Sequence, residues 1–256
     1  MKPLLVTLKK EYIHFRSKSG ERVSLAADVW HPRKQQKDRV VLFIPGYGSV
    51  RNGEKALAIG EAFTKAGFTF VAFEPRGHGE SSGTIDGITV DRHLEDLAQA
   101  VKFTKKLALP IVGIGSSLGA LAMAGFAARN RRAFCCFVGV GAAFGFFERW
   151  SRVAKNQRPP GLTDEAIASG KTVANEILAP KFTIPALLWH GMLDDAVDWK
   201  HAADFAARAK GSVELRLFNS GGHRLTEYKH QIAEESLQWS LQFLGAPPAR
   251  DPKRRK

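Results

Sequence analysis

At 256 residues, with 44% hydrophobic residues and a formal net charge of +13, the chain is long enough for one large core and short for two full domains. No apolar run approaches the ~20 residues of a membrane span, because each is broken by Gly, Pro or charge within about ten residues. The charge sits at the ends: residues 1–39 hold ten Lys/Arg against four acids and the stretch from Arg250 holds five against one, so a near-neutral body argues against nucleic acid as a partner and leaves only a weak anionic-surface contact for the tail.

From the amino terminus, Glu11–Arg16 and Val23–Trp30 flank Ser17-Lys18-Ser19-Gly20, the pattern of a β-hairpin at a sheet edge. Tyr12, Ile13 and Phe15 make this opening a first strand rather than a removable leader, although the absence of acids before Glu11 leaves a mitochondrial address open beside a cytoplasmic one. A strand over Arg39–Ile44 then runs into Pro45-Gly46-Tyr47-Gly48. Glu54–Ala66 has helical periodicity, Phe68–Phe73 is the next strand, and the alternation continues through helix Asp91–Leu107, strand Pro110–Gly115, helix Leu118–Asn130 and strand Ala133–Val140. Such alternation predicts an α/β fold, a mainly parallel sheet with helices on both faces and ligands at the carboxyl ends of the strands.

Between Val140 and Pro185 the rhythm breaks, with an aromatic cluster and a polar helix near Asp164–Leu178. The interruption, about 142–183, is too long for an ordinary connection and predicts a short cap over the site. Strand Ala186–His190, helix Trp199–Lys210, strand Val213–Phe218 and helix Glu227–Leu244 complete the pattern. A single domain over residues 1–249 is expected, followed by a basic, disordered tail over 250–256. The two cysteines, Cys135 and Cys136, are neighbours in the strand over 133–140 and are expected on opposite faces as buried thiols of a reducing compartment.

GxSxG occurs twice, at Gly79-Glu80-Ser81-Ser82-Gly83 and at Gly115-Ser116-Ser117-Leu118-Gly119. Only the second lies between an apolar strand and an Ala/Leu/Met-rich helix, as a nucleophile elbow requires, so Ser117 is the candidate nucleophile. A serine needs a base, an acid that orients it, and donors for the oxyanion. His223 follows the last strand and is the candidate base. His78 is expected to buttress its own loop, and His190 to be a structural residue beside the acid. Asp194, Asp195 and Asp198 follow the preceding strand, and chemistry alone does not separate them. The backbone N–H groups of Leu118 and Tyr47 are the expected oxyanion donors, the second in a loop whose flanking glycines permit close approach. Phe144, Phe147 and Trp150 are the candidate lining of an acyl pocket. No metal cluster or phosphate-binding loop competes, so neither metal nor cofactor is expected.

Together PGYG, EPRGHGESSG, GSSLGA, HGMLDDAV and GGHRLT resemble the α/β-hydrolase superfamily from about Glu11 to Leu244. The resemblance implies the α/β-hydrolase fold and, through HGxxDxxV, selects Asp194 as the acid. The run from Pro45 to Ala56 with GSSLG and GGHRLT is similar to the palmitoyl-protein thioesterase and acyl-glucuronide esterase subgroup. That similarity implies a serine hydrolase acting on esters or thioesters through an acyl-enzyme. Monoacylglycerol lipases and serine aminopeptidases share the motifs, and a slow-hydrolysing binding protein is a further alternative. An aminopeptidase needs paired cap carboxylates to grip a free amine, whereas Glu148, Asp164, Glu165 and Glu176 are scattered.

Overall fold

The computed structural model describes residues 6–33, 39–178 and 182–244; the expected basic tail lies outside them. Its strands are β1 (Val6–Arg16), β2 (Arg22–Pro32), β3 (Val40–Ile44), β4 (Thr69–Phe73), β5 (Ile111–Ser116), β6 (Cys136–Val140), β7 (Ala186–Gly191) and β8 (Val213–Phe218). They form one sheet in the order β1-β2-β4-β3-β5-β6-β7-β8. β1 pairs with β2 and β2 with β4 antiparallel, and every later pairing is parallel. The edge hairpin is longer than expected, because pairing continues to Val6 opposite Pro32.

Side-chain alternation along the central strands builds two cores. Val40, Leu42 and Ile44 of β3 face one, with the helices α2 (Val90–Thr104), α3 (Leu118–Arg129) and α6 (Lys200–Arg208). Val41 and Phe43 face the other, with α1 (Glu54–Lys65) and α7 (Lys229–Leu241). Burying strands on both faces is what makes their sequences nearly continuous in apolar residues, and each large apolar side chain so buried contributes about 1.5–3 kcal/mol. β3 leads left to β4 whereas β5 lies on its right. The loops after β3 and β5 therefore diverge at a switch point, where a crevice opens.

The interruption folds as α4 (Phe146–Ser151), a 3₁₀ turn at Lys155–Gln157 and α5 (Asp164–Leu178). α5 packs on α3 and α4. Boundaries shift where local chemistry intervenes. Thr89 Oγ1 accepts from Arg92 N at 3.1 Å and starts α2 at Val90. The last helix begins at Lys229 because Leu225 adopts a left-handed conformation, φ 49°, and a 3₁₀ turn over Thr226–Tyr228 follows it. β6 begins only at Cys136, with Ala133 N bonded to Asn130 O in a turn. This corrects the expected placement of the cysteines: Cys135 precedes the strand, both thiols pack toward the α1/α7 core, and their sulfurs lie 3.9 Å apart. Both remain free thiols.

Candidate active site

Ser117 caps the start of α3 at the end of β5 with φ 51° and ψ −117°. A left-handed φ is strained for a serine and holds its hydroxyl out of the strand-to-helix turn. The motif glycines are needed because backbone crowds them. A Cβ on Gly115 would meet Ala120 Cα at 2.6 Å, and one on Gly119 would meet Pro45 O at 2.3 Å.

His223 Nε2 lies 3.0 Å from Ser117 Oγ, and its Nδ1 lies 2.7 Å from Asp194 Oδ2. With the carboxylate ionised, Nδ1 carries the proton and Nε2 accepts from the serine. The Asp194 side chain is fully buried. Its Oδ1 accepts from Ala196 N at 2.9 Å and Val197 N at 2.8 Å, and its Oδ2 also faces His190 Nε2 at 3.0 Å. Burial opposes the charge, but the hydrogen bonds from His190, His223 and Val197 outweigh it and hold the carboxyl well below the usual range. Asp195 and Asp198 do other work. The Asp195 carbonyl accepts from Arg149, and Asp198 Oδ1 accepts from Lys200 N at 3.0 Å at the start of α6.

The loop carrying Tyr47 approaches so closely that a Cβ on Gly46 would lie 2.9 Å from Ser117 Cβ. Neither Tyr47 N–H nor Leu118 N–H is among the donors of the loop and cap hydrogen bonds of the described residues, which leaves both amides for a ligand oxygen. The Tyr47 hydroxyl donates to Pro160 O, tying this loop to the segment between α4 and α5. Burial, and secondarily Asp86, push the phenol pKa up. A cavity of about 380 Å³ brings together Tyr47, Lys55, Ser117, His223, Arg224 and Thr226.

The aromatic cluster does not line this cavity. Phe144 stacks on Phe205 with ring centroids 4.7 Å apart, Phe147 meets Phe146 edge-on, and both are buried in the core; Trp150 packs against Phe146. The expected acyl-pocket lining is corrected accordingly for this cavity: Phe144 precedes α4 and packs against α6, Phe147 lies under α5, and Trp150 is half-buried. A Cβ on Gly170 of α5 would fall 2.1 Å from the Phe147 ring.

Ser81 Oγ donates to Glu74 O at 2.6 Å and accepts from Ala26 N at 2.9 Å, so the first GxSxG is a structural turn. His78 is buried, with Nδ1 3.2 Å from Arg76 O and its ring edge-on to His93. Two features carry no motif that sequence reasoning could read. Buried Arg51 pairs with Asp28 at 2.9 Å and Glu74 at 2.7 Å, anchoring the loop that bears Tyr47. Lys55 enters the cavity from α1; only its place in the run after PGYG hinted at importance.

Residues 35–159 match the family model described as serine aminopeptidase, S33. The bovine protein named palmitoyl-protein thioesterase ABHD10, mitochondrial, is 26% identical over 220 residues, covering 77% of this chain and 71% of its own. Its human counterpart is 28% identical over 213 residues, covering 73% and 67%. Among solved structures, Est1E from Butyrivibrio proteoclasticus with ferulic acid bound superposes with TM-score 0.79 at 19% identity over 92% of this chain and all of its own. The mouse alpha/beta hydrolase domain-containing protein 10 superposes with TM-score 0.74 at 22% identity over the same shares. Sheet order, elbow and these superpositions converge on one architecture: the chain has the α/β-hydrolase fold.

Proposed function

We propose that this chain is a serine hydrolase that cleaves carboxylic ester or thioester bonds of acyl substrates through an acyl-enzyme. The observation that carries this reading is the hydrogen-bonded line Asp194–His223–Ser117, 2.7 Å and 3.0 Å, beside two amides left free at the crevice. His223 Nε2 takes the Ser117 proton as Oγ attacks the carbonyl carbon. The oxyanion receives hydrogen bonds from the Leu118 and Tyr47 N–H groups, which act in a partly dehydrated site where charge is worth more than in water. Collapse expels the alcohol or thiol with the proton from His223 Nε2. Water, deprotonated by the same nitrogen, then releases the acid and regenerates Ser117. Asp194 stays ionised throughout, keeping the His223 tautomer and stabilising the imidazolium.

The thioesterase and esterase names of the relatives support this bond class. Peptidase chemistry is less well supported because three of the four cap acids are already engaged. Glu148 pairs with Arg152 and Lys171, Asp164 with Lys155 and Arg158, and Glu176 with Arg129. Glu165 is the one of the four without an ion pair, so no two free carboxylates stand together there among the described residues to grip a substrate amine. The relatives' names include the mitochondrion, and a mitochondrial location is the compartment we propose with them. The test is covalent labelling of Ser117 by a fluorophosphonate, together with turnover of matched esters and thioesters. An unlabelled, folded protein that turns over neither would refute the proposal.

A further inference from the structure

Lys55 lines the same cavity as Ser117 and His223. Its Nζ donates to Arg224 O at 2.9 Å, and among the described residues no carboxylate lies within ion-pair distance of it. Burial draws its pKa down to about 8; Asp194 and Glu227 act against the fall from a distance, and the Arg224 guanidinium adds to it. The cavity's acidic lining residue, Glu54, is turned to Lys229 at 2.9 Å. Arg224, also on the cavity, is exposed and makes no ion pair among the described residues.

A half-buried ammonium answered only by a carbonyl oxygen is costly, and the cost is greater beside a guanidinium and in the first turn of α1, where the helix dipole opposes a cation. An anion entering the cavity removes that cost, since it supplies the charge partner the fold withholds. We propose that Lys55 and Arg224 form a subsite for an anionic group, carboxylate or phosphate, carried by the substrate away from its reacting carbonyl. This rests on the hydrolase reading above and narrows it to negatively charged esters or thioesters. The competing role for Lys55 is purely architectural: holding the Arg224 carbonyl and, through it, the His223 loop.

The test compares kcat/KM at pH 7 within matched substrate pairs. p-Nitrophenyl hydrogen glutarate against p-nitrophenyl valerate places the charge on the acyl side. para-Acetoxybenzoate against its methyl ester places it on the leaving side. para-Acetoxyphenyl phosphate against para-methoxyphenyl acetate replaces carboxylate by phosphate. In at least one pair the charged member is expected to be favoured by about tenfold, the worth of one charged hydrogen bond. Lys55→Met should bring that ratio toward one, chiefly through KM, Arg224→Met should reduce it, and Lys55→Arg should restore much of it. In the unmodified protein the preference should weaken as pH rises through about 8, where Lys55 loses its proton. This arm remains decisive if Lys55→Met fails to fold. A ratio near one in every pair, a ratio untouched by either methionine substitution, an equal loss on charged and neutral members, or a preference constant across pH 8 overturns the subsite. Absence of Ser117 labelling with no turnover of any ester would instead refute the hydrolase reading.

Discussion

His190 Nε2 lies 3.0 Å from Asp194 Oδ2, the oxygen that also faces His223 Nδ1 at 2.7 Å. One buried carboxylate oxygen is therefore shared by two imidazoles, while the other oxygen is saturated by two backbone amides. His190 is fully buried, its Nε2 also lies 3.1 Å from Val197 O, and its Nδ1 has no partner among the described residues. A single N–H on Nε2, directed between them, serves both oxygens. The second ring fixes the carboxylate from behind, so that His223 meets a rigid acceptor.

Asp194→Asn should lower kcat/KM about 10²–10⁴-fold, because the amide no longer enforces the His223 tautomer. Asp195→Asn should have a much smaller effect, and His190→Gln an intermediate one. Steady-state kinetics on a small neutral ester checks the ranking. Asp195→Asn as the most damaging of the three would move the acid by one residue.

Ser117→Ala should abolish fluorophosphonate labelling and lower turnover by about 10⁴-fold or more, with His223→Ala similar in turnover. Ser81→Ala should keep its labelling. Its loss should appear instead as lower thermal stability, since Ala26 N and Glu74 O would lose their shared partner. Intact-mass analysis of probe-treated variants reads the outcome directly.

Arg51→Gln should destabilise the protein by about 3–5 kcal/mol, because it strips the charge partner from buried Asp28 and Glu74. The measurement is chemical denaturation followed by tryptophan fluorescence. Little change would mean that the loop bearing Tyr47 is held by something other than this ion cluster.

Phe147→Ala should cost about 3–5 kcal/mol through the cavity left under α5. The dependence of kcat/KM on acyl length should keep its shape in the variant that remains folded. A flattened profile at unchanged stability would return this ring to a pocket role.

Stability should fall as the solution is acidified, and buried His93 should account for part of the fall. Burial, with His78 second, draws its pKa down from 6.5 to about 3, so the unfolded chain binds a proton below pH 6.5 that the folded chain refuses until about pH 3. Its contribution is present above pH 6.5 and is lost across that window at up to about 1.4 kcal/mol per pH unit. His93→Gln should consequently show a shallower acid limb in urea denaturation series. Parallel limbs for the two proteins would contradict this assignment.

The alternation of short apolar strands with helical patterns determined the fold class, because parallel strands buried on both faces cannot be written with many polar residues. Glycines around Ser117, and acid and histidine after successive strands, made the reacting groups legible: close backbone approach and strand-end placement constrain residue type locally. Residue chemistry by itself did not separate Asp194, Asp195 and Asp198, since the three differ only in the direction each side chain takes from one turn; the HGxxDxxV resemblance selected Asp194, the carboxylate that lies 2.7 Å from His223 Nδ1. Sequence could not tell that Phe144 and Phe147 turn inward, because apolar rings serve a pocket wall and a core equally well until α6 is placed against the first and α5 over the second. Cys135 and Cys136 were expected on opposite faces from strand periodicity, which fails where the strand has not begun. The roles of Lys55 and Arg51 required the tertiary structure, beyond their place in the run after PGYG. A lysine near a helix start and an arginine in a loop are ordinary surface residues in sequence, and only packing decides that one faces the cavity of Ser117 and the other lies buried among acids.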